Sequence, residues 1–80
     1  MKSLTEKQGQ YLAFIATYIK LNNMSPAESD IQKFFQVTPP TAHQMVVKLE
    51  SIGTIKRKPR VARSIEIIID QSEIPPLKST

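Results

Sequence analysis

Apolar residues in the first quarter of the chain recur at helical spacing, with Leu12, Ile15 and Ile19 at i, i+3 and i+7. Tyr11, Phe14 and Tyr18 widen that face and read as core and rim rather than as a base-stacking platform. Thr5 before the run and Gln8 three residues later make the two halves of a capping box, so a helix is predicted over residues 6–21. Asn22 and Asn23 close it, because asparagine tolerates the left-handed conformation that ends a helix. After a connector at residues 24–26, Ala27, Ile31, Phe34, Phe35 and Val37 predict a second, shorter helix over 27–35. Its first turn carries Glu28 and Asp30, where the helix dipole favours acids. Thr38, Pro39 and Pro40 make a tight connection. A residue before proline is pushed out of the helical region, so Pro39 is expected outside the third helix and Pro40 at its first position. That helix is predicted over 40–52, with Ala42, Met45 or Val46, Leu49 and Ile52 turned inward.

Past Gly53 the period drops from helical to two. Residues 54–58 and 63–69 read as strands joined at 59–62, with Ile55 inward on the first. On the second, Ile65, Ile67 and Ile69 share one face and Ser64, Glu66 and Ile68 the other. Two helices a short turn apart, followed by a hairpin, define the fold class: α+β, mostly α, a winged helix-turn-helix with a two-stranded β-hairpin wing. The domain is expected over residues 1–70, and residues 71–80, with Pro75 and Pro76, as a flexible tail.

Charge changes this picture from a fold to a candidate surface. The 80 residues carry 11 Lys+Arg against 7 Asp+Glu, a net charge of +4. Lys56, Arg57, Lys58, Arg60 and Arg63 form an unbroken cationic run on the hairpin, the footprint of a polyanion partner, although a solvated surface hairpin would read the same. The outward face of the third helix, Thr41, His43, Gln44, Val47 and Lys48, with Thr38 and Pro40 at its start, is short-armed and nearly uncharged. Hydroxyl, imidazole and amide groups hydrogen-bond base edges, and valine touches a thymine methyl. Duplex DNA is therefore the expected partner. Helix 3 would lie in the major groove and the wing along the phosphates, each phosphate contact steepening the salt dependence by roughly 0.9 in log–log slope.

Other chemistries fit poorly. There is no cysteine for a disulfide or thiolate site, and His43 is the single histidine, without a carboxylate pair at ligand spacing. Gly9 and Gly53 are isolated, so no phosphate-binding loop exists. Gly9 sits inside a helix, where it costs about 1 kcal/mol relative to alanine, and allows close packing against a partner not evident in the sequence. The expectation is a non-enzyme with no cofactor, metal, membrane span or small-molecule substrate. It would be cytoplasmic and nucleoid-associated.

These segments also resemble the amino-terminal DNA-binding domain of the LexA repressor family, over about residues 3–69. LTEKQGQYLAFIATYI is similar to its opening helix, and NMSPAESDIQKFF to its connector and second helix. PTAHQMVVKLESIGTIKRKPRVARSIEI resembles the version found in Gram-positive bacteria at Thr41, His43, Leu49, Glu50, Ser51, Gly53, Ile55, Arg57, Pro59, Arg63, Ile65 and Glu66. The resemblance implies a repressor of the DNA-damage (SOS) response type that reads a short inverted repeat. Pro39 and Pro40 depart from the serines frequent there, removing donors for a phosphate. The family's self-cleaving, dimerising second domain is not expected within these residues, which leaves homodimerisation or pairing with another repressor open. A rival reading is a protein-interaction module that modulates a full-length repressor, prompted by Ile68 facing away from Ile67 and Ile69.

Overall fold

The computed structural model describes residues 4–78; residue 3, where the family resemblance begins, and residues 79–80 of the expected tail lie outside it. The first helix, α1 (Glu6–Asn22), begins at a reciprocal cap: Gln8 N–H donates to Thr5 Oγ1 and Thr5 N–H to Gln8 Oε1, both at 3.1 Å. Its end is the left-handed Asn23 (φ 56°), whose N–H donates to Ile19 O. Both local signals in the sequence place these boundaries.

α2 (Glu28–Phe35) starts one residue later than expected, because Ala27 is extended and acts as the cap. Only half a capping box forms there. Asp30 accepts the Ala27 N–H at 2.9 Å, but alanine has no side-chain oxygen for the Asp30 N–H, which donates to the Ala27 carbonyl at 3.0 Å instead. Gln36 (φ 55°) closes the helix, and Gln36, Val37 and Thr38 make the turn to α3 (Pro39–Ser51).

Pro39 lies inside α3, not outside it as expected. The extended residue is Thr38 (φ −74°, ψ 159°), the conformation that the following Pro39 imposes, and two prolines fit in a first turn whose N–H groups have no helical acceptor. At the other end Gly53 (φ 83°) donates to Glu50 O while Thr54 N–H reaches Leu49 O, each at 3.1 Å. That double closure needs a left-handed residue, which glycine supplies without strain. The Thr54 hydroxyl adds a 2.7 Å bond to Leu49 O, so the buried Thr54 hinges helix to wing.

The wing strands are shorter than predicted. β1 (Ile55–Lys56) pairs antiparallel with β2 (Glu66–Ile67), Ile55 opposite Ile67 and Lys56 opposite Glu66. Between them the chain leaves strand geometry at Arg60 (φ 65°) and Arg63 (φ 56°). Ser64 holds the loop closed: its hydroxyl accepts from Lys58 N–H at 3.0 Å and lies 2.8 Å from Val61 O.

Tyr11, Leu12, Phe14 and Ile15 of α1 form one core with Ile31, Ala42, Val46, Leu49, Ile55 and Ile65, so the inward stripe of α3 runs through Ala42, Val46 and Leu49. The aromatics are core and rim as expected, with Tyr11 stacked on Phe35 at 4.0 Å and Phe14 on Phe34 at 4.6 Å. Burial raises the Tyr11 hydroxyl above its ordinary pKa. Each fully buried aliphatic side chain contributes about 1.5–3 kcal/mol, enough to clamp α3 against α1.

The segment expected as a loose tail lies against α1. After a 3₁₀ turn at Gln71–Glu73, the Gln10 amide brackets the chain, donating to Pro76 O at 3.0 Å and accepting from Lys78 N–H at 2.8 Å. Lys78 Nζ pairs with Glu6. A Cβ on Gly9 would lie 2.8 Å from Pro75 Cγ, so the close approach that Gly9 allows is to this tail.

Candidate nucleic-acid interface

Helical periodicity puts the α3 residues singled out in the sequence on the side opposite the core. Thr38, Pro40, Thr41, His43, Gln44, Val47 and Lys48 are all exposed, while Ala42, Val46 and Leu49 are fully buried behind them. Val47 exposes 41% of its surface, the apolar element in an otherwise polar face. The Thr38 and Thr41 hydroxyls lie 2.9 Å apart and brace the start of the helix. Pro39 and Pro40 have no N–H, so within residues 39–41 only Thr41 offers a main-chain donor to an incoming anion.

The wing cations do not act as one block. Lys56 spans the ladder to Glu66 at 3.3 Å in an exposed pair, of the kind worth 0 to about 1 kcal/mol and easily exchanged for a phosphate. Arg57 is largely buried, with 18% of its side chain exposed, and its Nε stands 3.2 Å from Glu50 Oε1 without a hydrogen bond along the N–H. Lys58 and Arg60 are exposed and make no ion pair among the described residues.

Arg63, expected as a wing contact, keeps 41% of its side chain exposed but is also engaged within the protein. Its guanidinium folds back under the hairpin, Nη1 lying 3.1 Å from Tyr18 Oη, 3.2 Å from Ser25 O and 3.1 Å from Asp30 Oδ2. The Tyr18 hydroxyl bond foremost, with Asp30, raises its pKa further. Ile65 N–H donates to Ser25 Oγ at 3.2 Å, so side chain and backbone pin the wing to the connector between α1 and α2. Among the described residues, the unpaired positive charge of the wing is therefore on Lys58 and Arg60.

Two participants carry no local sequence signal. Ser25 is buried and polar in the connector, and Glu28 reaches across from α2 to His43, its carboxylate oxygens 3.0 and 3.1 Å from Nδ1. The described residues contain no group of three His, Cys, Asp or Glu side chains placed to hold a metal ion. None of their helices is long and apolar enough to cross a membrane.

A model of the LexA DNA binding domain matches residues 1–64. The LexA repressor of Thermosipho melanesiensis is 47% identical over 74 residues, covering 92% of this chain and 37% of that protein. That of Thermosipho africanus is 46% identical over 68 residues, covering 85% of this chain and 34% of that protein. The LexA repressor of Petrotoga mobilis is 39% identical over 75 residues, covering 92% and 36% respectively. The chain thus spans about a third of the length of these relatives.

Proposed function

The chain belongs to the LexA DNA-binding domain family, and from that premise we propose that it is the sequence-reading module of a transcriptional repressor that grips double-stranded DNA with α3 and the wing. The observation that carries the proposal is the pairing of an exposed, hydrogen-bonding α3 face with Lys58 and Arg60, unpaired among the described residues, on a wing clamped to the same core. Thr41, Gln44 and Val47 suit base edges and a thymine methyl, and His43 faces the same way. Lys48, Lys56, Lys58 and Arg60 suit phosphates, which set register and affinity without reading sequence. The operator is a short inverted repeat bound by two copies, and the regulated response is the DNA-damage (SOS) type.

A fluorescence-anisotropy titration against specific and scrambled duplexes tests this. Gln44→Ala should relax preference at one or two base pairs, whereas Arg60→Ala should weaken both duplexes alike. Unchanged affinity in both variants would remove α3 and the wing as the reading surface. A second reading, a module that pairs with another repressor through the wing, draws on exposed Ile68 (51%) and Val61 (53%). Native mass spectrometry that finds a protein pair without DNA would favour it.

A further inference from the structure

Glu28 is the acid that touches the proposed reading face, and its place there is unusual for a surface meant to meet phosphates. It opens α2, where the helix dipole favours a negative side chain, and its carboxylate receives His43 from α3. Resting on the DNA-reading proposal, we infer that Glu28 is a positioning residue that sets the tautomer of His43, and that His43 is thereby a specificity-determining contact for a base bearing an exocyclic amine.

An ionised carboxylate only accepts hydrogen bonds, so the nitrogen facing it, Nδ1, must carry the proton. In the neutral ring the other nitrogen, Nε2, is then a bare lone pair. An acceptor in the major groove pairs with adenine N6 or cytosine N4 and is repelled by guanine O6, thymine O4 and phosphate oxygens. Reversing the base pair puts a carbonyl oxygen where the amine was, so the contact reports orientation as well as identity. The side chains are 53% and 38% exposed, which leaves the outer edge of the ring within reach of a groove. The acid also opposes indiscriminate approach of phosphate to this end of the face, so the pair favours selectivity over raw affinity.

The test combines two readouts on the protein at about pH 8. Nitrogen-15 NMR of the free protein should find Nδ1 protonated and Nε2 bare in the wild type, and a mixture of tautomers in Glu28→Gln. The duplex enriched by the wild type from a random library is then titrated with every base pair reversed in turn. His43→Ala should lose discrimination at one pair by about fivefold or more, and Glu28→Gln should lose most of it at the same pair. A wild-type ring protonated at Nε2 would overturn the inference. So would full discrimination in His43→Ala, or in Glu28→Gln where His43→Ala has lost it. If the wild type enriches no duplex, the DNA-reading proposal itself fails and the inference with it, an outcome distinct from enrichment without a His43-dependent position.

Discussion

Among the five wing cations, burial and pairing rather than formal charge decide what each side chain does. Lys58 and Arg60 are exposed and unpaired among the described residues, whereas Arg57 is already faced by Glu50. Replacing Lys58 or Arg60 by alanine should each flatten the slope of log affinity against log salt by up to about 0.9, and Arg57→Ala by clearly less. Equal slopes for all three in a salt-series titration would mean that the Glu50 pair opens on DNA. Arg63 belongs to stability first, because it joins the wing to Tyr18, Ser25 and Asp30. Arg63→Ala should lower the urea midpoint and speed exchange of the Ile65 amide, while Arg60→Ala leaves both near wild type. Arg63→Lys should restore part of the loss, since all three contacts are made by the one nitrogen Nη1, a place that an ammonium with three donors can take.

At the level of elements, local signals were legible and distant ones were not. Thr5, Gln8 and Asn23 lie within a turn of the boundaries they set, so the sequence predicts α1 within one residue. The outward face of α3 was equally readable because helical periodicity alone separates it from Ala42, Val46 and Leu49. The second strand starts later than its alternating pattern predicts, because that pattern does not reveal left-handed backbone at Arg63. Contacts of Arg63 with Ser25, His43 with Glu28 and Gln10 with Pro76 join residues 38, 15 and 66 positions apart, which no local pattern encodes. The docked tail offers two tests of such a contact. Gly9→Ala should gain less than the about 1 kcal/mol of helix propensity, or lose stability, because of Pro75, and should recover that gain in a Pro75→Ala background, read by urea unfolding. Lys78 also lowers the pKa of Glu6, so the pair acts above the ordinary carboxylate range and is lost as pH falls through the lowered value. The Lys78 amide shift in NMR should therefore titrate on acidification, and Glu6→Gln should abolish that titration.

The molecule as a whole is small, with a Cα radius of gyration of 11.5 Å, and a domain of this size buries only about 60–65% of its unfolded surface. One core therefore has to serve both folding and presentation. Leu49 shows the coupling, since it is fully buried on the helix whose other side carries Gln44 and Lys48. The same economy explains why a wing of two short strands keeps its place: Thr54 ties it to α3, and Ser25 and Arg63 tie it to α1 and α2. In the proposed function, this pairing of an α3 face with a cationic wing on one core reads duplex sequence. Selection from a random duplex library, run in parallel with the wild type and Gln44→Ala, tests that claim most directly. One enriched motif is expected for the wild type, and the same motif with one or two positions relaxed for the variant; no enrichment, or identical motifs from both chains, would contradict the proposed function.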